Sequence, residues 1–432
     1  MKIFLSSIGC RLNQSEIETL GRDLLAQGHE IVKDAAVADK AVVNTCAVTA
    51  QAARDARAQT RRILRQKADT EIYLTGCYAT VGPDELGHLN GPVTLVNNKD
   101  KSRLIQIIDP ASVNSALPFD QEPIMREFLV GQMGNTRAFV KVQDGCDNKC
   151  TFCMTTIARG AGASRRLGDI VTEVQALAKA GYKEVVITGV HLGSYGRDLS
   201  EKIELQDLVR SLLRHTDIPR LRLSSLEPWD INPEFFTLWD NPRLLPHLHM
   251  PLQSGSDRIL RRMARRTTRA SYRLLVSHAR AQIPDLNLST DIILGFPGET
   301  DYDFQESLAY VREIHFARLH AFSYSSRPGT AAAMMDGHLS NAVKKERTRR
   351  MIALGKELAL EYHQHFDGAL RSVLWETNIG ANKTGLLWSG YSDNYIRVSA
   401  NGPVDLFNTV TSTRLHTFDA QGAMGTILNS LP

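Results

Sequence analysis

Residues 144–160 read DGCDNKCTFCMTTIARG, and they place Cys146, Cys150 and Cys153, half of the chain's six cysteines, within eight positions. The run just before them, RAFVKVQ at 137–143, has the composition and length of a strand, so the cysteines sit on the loop that leaves it. A structural zinc site takes four nitrogen or sulfur ligands. No His lies between 139 and 160 to supply a fourth. Three soft thiolates without a completing ligand suit an iron–sulfur cluster with one iron left open. The alternative is a zinc loop that borrows a distant His.

Outward from that loop, 137 to about 327 carries six strand-like runs: RAFVKVQ, EVVITGV, RLRLSSL, PHLHMPL, LNLSTDIILG and ARLHAFSY. Helical patterns such as LQDLVRSLLRH and DFQESLAYVREI separate them. Successive strand–helix units predict an open (β/α)6 partial barrel whose carboxyl-terminal strand edge carries the chemistry. The cysteine loop follows its first strand.

Toward the N-terminus, three apolar runs each end in a cysteine: IFLSSIGC at Cys10, AVVNTC at Cys46 and EIYLTGC at Cys77. Helical patterns lie between them, which predicts a doubly wound parallel sheet with the three strand ends on one edge. Neighbouring strands are about 4.8 Å apart, so these cysteines can meet around one cofactor. Taken singly, each is an ordinary buried thiol. Taken together they predict a second three-thiolate site.

Beyond Gly368 the composition changes to short β-type runs separated by Gly, Asn and Asp, which predicts a small antiparallel β-barrel. The expected organisation is 1–108 for the N-terminal domain, 109–131 for a Pro- and Ser-containing linker, 132–365 for the partial barrel with its trailing amphipathic helix, and 366–432 for the C-terminal barrel. At 432 residues the chain is too long for one core. No apolar run reaches transmembrane length, and MKIFLSSIGC is too short and too soon interrupted for a secretory signal. The expectation is a cytoplasmic protein, whose cysteines stay reduced and serve as ligands or catalysts. With 51 Lys and Arg against 47 Asp and Glu, the net charge of +4 permits a polyanionic partner without requiring one.

The C-x3-C-x2-C spacing after a first barrel strand resembles the signature of the radical SAM superfamily. With GCRLNQSE, NTCAVTA and GCYA ahead of it, the chain resembles the methylthiotransferase family nearly end to end. The C-terminal region matches that family's RNA-binding TRAM barrel. The resemblance implies two [4Fe–4S] clusters, held by Cys146, Cys150 and Cys153 and by Cys10, Cys46 and Cys77, with S-adenosyl-L-methionine chelating the open iron of the first. It implies reductive cleavage to a 5′-deoxyadenosyl radical at one cluster and sulfur carried at the other. C2 of an adenine is neither acidic enough for a side-chain base nor nucleophilic, so acid–base catalysis offers no route and a cofactor radical does.

Among the family's branches, LRLSSLEPWDI, TGVHLGSYG and HLHMPLQSGSDRILRRM look most like the one acting on threonylcarbamoyladenosine in tRNA. The others act on isopentenyladenosine in tRNA or on a ribosomal-protein aspartate. The implied partners are the tRNA anticodon stem-loop and an electron-donating reductant, with neither membrane nor DNA. A different class, a non-catalytic RNA-binding protein stabilised by metal, would form no deoxyadenosine. MTTIARGAGASRR departs from the family pattern, which has a Pro and an aromatic before ARG.

Strand ends of the partial barrel nominate Thr188, Gly189, Ser225, Glu227, Gln253, Ser254, Asp291 and Gly295 as cofactor-binding candidates, since polar groups there reach a ligand and glycines admit its backbone approach. Arg327 in SYSSRPGT is a candidate contact for an anionic substrate group. For RNA, three basic clusters stand out: Arg54, Arg57, Arg61, Arg62 and Arg65; Arg258, Arg261, Arg262, Arg265, Arg266 and Arg269; and KKERTRR at 344–350. Each is equally a solvated face. Trp375, Trp388, Tyr391 and Tyr395 are candidate base-stacking residues, with Lys383 and Arg397 near phosphates; of these the two tryptophans are expected in the barrel core instead.

Overall fold

The computed structural model describes residues 1–89, 91–112, 136–382, 385–402 and 405–430. Most of the expected linker, and Lys383, lie outside them.

The first sheet is parallel, in the order β2 (Glu30–Val32), β1 (Lys2–Ser7), β3 (Lys40–Thr45), β4 (Glu71–Gly76), β5 (Val93–Leu95). Alternate residues of its strands feed opposite faces. Val43 and Leu74 pack with Ala53, Ala56 and Ile63 of the helix Ala50–Gln66. Val42 and Tyr73 pack on the other face with Leu20 and Leu24 of the helix Arg11–Ala26. Burial on both faces makes the strands continuous apolar runs. The two short strands β2 and β5, too brief to show a period, have no such signal in the sequence.

Arg137–Asp144 (β6), Ala163–Ser164 (β7), Glu184–Gly189 (β8) and Arg220–Leu223 (β9) form a second sheet in the order β7-β6-β8-β9. His247–His249 (β10), Asn287–Leu294 (β11) and Arg318–Ser323 (β12) form a third, and parallel bridges from Leu221 to Leu244 and from Ser225 to His249 join it to β9. Together they make the curled, open six-strand wall expected from the sequence, with the antiparallel β7 added beside β6. The helix Arg11–Ala26 lies along β6, where Ser15 Oγ donates to Phe139 O at 2.7 Å.

Leu370–Asn382 (β13), Gly385–Ser392 (β14), Arg397–Gly402 (β15), Val410–Asp419 (β16) and Gly422–Ser430 (β17) close into a barrel in the order β13-β14-β15-β17-β16. Its pairs are antiparallel except β15–β17, which is parallel. An odd number of strands cannot alternate direction all the way round a ring, so one such pair is required. Trp375 and Trp388 fill the core, as expected.

The C-terminal barrel docks under the strand starts of the curled wall. Glu184 bridges Arg220 at 2.9 Å and Arg222 at 2.8 Å. These arginines donate to Ser372 O, Tyr391 O, Ser392 O and Asp393 O of the barrel. Burial alone would raise the Glu184 carboxyl, but Arg222 and Arg220 outweigh it and hold it down to about 2. Tyr391 and Tyr395 stack at 4.8 Å within this seam, and Tyr395 Oη accepts from Arg11 at 2.7 Å and Arg137 at 3.1 Å. In this arrangement Tyr395 serves domain docking instead of presenting a platform for bases.

Candidate functional site

Parallel register builds the N-terminal half of the site. Asn44 is opposite Ser7 on one side and Thr75 on the other, and Thr45 is opposite Gly76. Cys46 and Cys77 therefore leave their strands side by side, with Cys10 just beyond β1. The approach is close: a Cβ on Gly9, where φ is +117°, would stand 2.3 Å from Cys46 Cβ. Asn13 ties the trio's loops together. Its amide donates to Ile8 O and Thr45 O, and its Oδ1 accepts from the Cys10 thiol at 3.7 Å.

Cys146, Cys150 and Cys153 follow β6. Gln143, a polar residue ending an apolar strand, shapes their loop: its Nε2 donates to Asp144 O and Gly145 O, and its Oε1 accepts from His191 N at 2.8 Å. Backbone N–H groups two residues on point at three of the sulfurs: Val48 to Cys46, Asn148 to Cys146 and Thr155 to Cys153, each at 3.4 Å. Arg265 Nη1 stands 3.8 Å from Cys150 Sγ while pairing with Glu227 at 2.6 Å. Arg265, expected within a basic RNA-facing cluster, is buried beside the cysteines. Of the same cluster, Arg258 pairs with Asp303 and Arg269 with Glu306. Arg347 of KKERTRR is buried against Glu299. In the first cluster Arg57 pairs with Glu85, while Arg54, Arg61, Arg62 and Arg65 are exposed.

Arg159 makes the densest set of contacts between the two halves, beside Asn98, whose amide donates to Ala158 O at 2.8 Å. Arg159, at the end of the helix Thr155–Arg159, donates from Nε to Cys77 Sγ at 3.3 Å and from Nη2 to Asn13 Oδ1 at 2.9 Å. Its Nη1 reaches Glu16 at 2.8 Å and Asp144 at 2.9 Å. Burial opposes both charges of the Arg159–Glu16 pair. Even so, Glu16 is held well below the usual carboxylate range by Arg159, Lys101 and Lys141, and Arg159 is held well above its ordinary value by Glu16 and Asp144. Nothing in the N-terminal sequence signals that Glu16 serves the second domain.

Cys46 and Cys150 are poor nucleophiles without a metal. Burial pushes Cys46 up to about 12 and Cys150 up to about 11, so neither ionises at neutral pH without a metal to bind. Among the described residues no group of three or more His, Cys, Asp or Glu is gathered as a single metal ion would need. The donor set fits a [4Fe–4S] cluster: three sulfurs per site, N–H donors to sulfur, and a guanidinium beside each trio to offset the charge.

The strand-end candidates fall in different settings. Glu227 reaches the cysteine triplet through Arg265. Asp291 pairs with His249 at 3.2 Å, while its carbonyl accepts from Gln253 N. Gln253 is half-buried with φ +74°, and Ser225 is exposed at the mouth. Thr188 is buried. Ser254 is buried, and its hydroxyl accepts from Ser256 N at 3.2 Å within its own loop. Gly189 packs on Gln143 and Gly295 on Lys344, where a Cβ would come within 3.1 and 2.5 Å. Sequence reasoning passed over His191, which meets Asp230 at 2.5 Å and has Asn148 beside it. Burial would lower its imidazole, but Asp230 and Cys146 raise it to about 9.

Residues 140–311 match the family model described as the radical SAM superfamily, and residues 2–98 match the uncharacterized protein family UPF0004. The threonylcarbamoyladenosine tRNA methylthiotransferase MtaB of Bacillus subtilis is 33% identical over 95% of this chain and 92% of its own length. Its namesake from Thermotoga maritima is 36% identical over 91% and 90%. The tRNA-2-methylthio-N(6)-dimethylallyladenosine synthase of Syntrophus aciditrophicus is 32% identical over 95% and 91%. Among solved structures, the radical S-adenosylmethionine methyltransferase TsrM of Kitasatospora setae superposes with a TM-score of 0.56 at 14% identity, covering 88% of this chain and 79% of that one, a likeness of fold. Matched along nearly its whole length by relatives of this kind, the chain belongs to the radical SAM methylthiotransferase family.

Proposed function

We propose that this protein converts N6-threonylcarbamoyladenosine at position 37 of tRNA, next to the anticodon, to its 2-methylthio derivative. Cys146, Cys150 and Cys153 are read as ligands of the radical cluster, and Cys10, Cys46 and Cys77 as ligands of an auxiliary cluster. When bound, the clusters and S-adenosyl-L-methionine supply the radical, the sulfur and the methyl group. The chain's own residues set the stage: Arg159 and Asn13 hold the two cysteine sites in register, and Gln143 and Glu227 with Arg265 position the triplet loop. Glu227, Gln253, Ser225, Thr188 and Asp291 are read as the polar surroundings of the S-adenosylmethionine.

The observation that carries this reading is the convergence of two three-thiol sites joined by one buried arginine. Residues 1–108, 132–365 and 366–432 are read as the auxiliary-cluster, radical and TRAM domains, joined by the 109–131 linker. No helix among the described residues is long and apolar enough to cross a membrane. The working setting is the cytoplasm, with an electron-donating reductant and no role for DNA.

Mass spectrometry of tRNA nucleosides from a strain lacking the gene tests the proposal: 2-methylthio-N6-threonylcarbamoyladenosine should vanish while its unthiolated precursor accumulates. Similarity to the dimethylallyladenosine synthase keeps a second reading in view. Loss of the 2-methylthio isopentenyl nucleoside in the same spectrum would select it.

A further inference from the structure

Arg327 is a half-buried cation whose fork is unfilled. It begins the turn after β12, where the Thr330 N–H and hydroxyl donate to Arg327 O at 3.2 and 2.8 Å. That turn is fastened to the triplet loop. Ala332 N–H donates at 2.8 Å to the carbonyl of Thr151, which lies between Cys150 and Cys153, and a Cβ on Gly329 would stand 3.4 Å from Ile157 Cδ1. The guanidinium meanwhile interacts electrostatically with Cys46 of the other trio and with Glu85 and Tyr78. Arg327 therefore lies between the two cysteine sites.

Its Nε and Nη2 are both buried and, among the described residues, neither has a hydrogen-bond partner; no other arginine there has two such nitrogens. Glu85, the acid within its field, is already held by Arg57 at 2.8 Å and by the Tyr78 hydroxyl at 2.5 Å. Two desolvated donors left idle cost free energy, and Nε with Nη2 is the edge that grips an oxyanion with two parallel bonds.

We propose that Arg327 binds an oxyanion of the substrate nucleotide between the two cysteine sites. This rests on the tRNA reading above. The oxyanion is either the carboxylate of the threonylcarbamoyl group or a phosphate flanking the target base.

The test is anaerobic fluorescence anisotropy of the reconstituted full-length protein. Two anticodon stem-loops are compared, one with threonylcarbamoyladenosine and one with plain adenosine at the target position. Arg327→Gln, with iron content matching the wild type, is expected to weaken binding about ten- to hundredfold. A loss confined to the modified RNA assigns the carboxylate, and an equal loss on both assigns the phosphate; either sustains the proposal. Arg327→Lys keeps charge and bulk without the fork, so it is expected to recover only part of the affinity and serves alone if the Gln variant does not fold. Wild-type affinity for both RNAs in the folded variants overturns the role of Arg327 and leaves the tRNA reading standing. Failure of the wild-type protein to bind either RNA removes the tRNA reading itself.

Discussion

Arg159 Nε donates to Cys77 Sγ at 3.3 Å across 82 positions of sequence, from the loop of one cysteine trio to a member of the other. The same guanidinium is 2.8 Å from Glu16, six residues beyond Cys10. This side chain thereby ties the two halves of the site together, with Asn98 donating to Ala158 O beside it.

Arg159→Ala is expected to take one cation from Glu16 and Asp144, which keep Lys101 at 2.5 Å and Lys141 at 3.5 Å respectively, and to cost about 1–3 kcal/mol. Its sharper readout is iron: about eight per chain in the reconstituted wild type and about four in the variant, if only the auxiliary site fails. Iron analysis with electron paramagnetic resonance of the reduced protein checks this. Full iron with an unchanged auxiliary signal would remove Arg159 from the role of bridge.

Cys150→Ala should abolish deoxyadenosine formation from S-adenosylmethionine and reductant, because the radical site loses a ligand. Cys46→Ala should block the methylthio product while uncoupled cleavage continues. Chromatography of deoxyadenosine and of digested tRNA separates the two outcomes. Loss of cleavage in both variants would mean that the sites do not act separately.

Tyr395 offers a test by pH. Burial alone would raise its phenol, but Arg11, Arg137 and Arg222 outweigh it and bring the group down to about 8, against about 10 in an unfolded chain. A depressed acid contributes stability fully above the unfolded value and loses it as pH falls through the folded one, so this contribution grows between pH 8 and 10. Tyrosinate absorbance should show one group titrating near pH 8, absent in Tyr395→Phe. Persistence of that titration in the variant would place it elsewhere.

Trp375 is fully buried in the C-terminal barrel and donates from Nε1 to Thr411 Oγ1 at 2.9 Å. Trp375→Ala should cost about 3–5 kcal/mol and unfold the barrel before the rest. Limited proteolysis should then cut within 370–430 while the iron content stays at the wild-type level. An uncut barrel would show that its core tolerates the cavity.

Much of the site was legible because cysteine chemistry is local. Cys146, Cys150 and Cys153 lie on one loop, and Cys10, Cys46 and Cys77 each follow an apolar run, so parallel-sheet geometry brings them to one edge. Arginine was harder to read. Arg265, Arg347 and Arg61 look alike in a basic run, yet the first is beside Cys150, the second is bonded to Glu299 and the third is in solvent. Only the partner distinguishes them, and the partners Glu227 and Glu299 come from other segments.

From the order of residues alone follow the three-part architecture, the six candidate ligands and the kind of cofactor, because strand periodicity and thiol spacing are short-range properties. Tertiary structure decided how the parts meet: Arg159 reaching Cys77, Tyr395 seated among Arg11, Arg137 and Arg222, and Arg327 left between the two trios. Charges need to be matched once water is excluded, and which charges are excluded together depends on the packing of segments far apart in the chain.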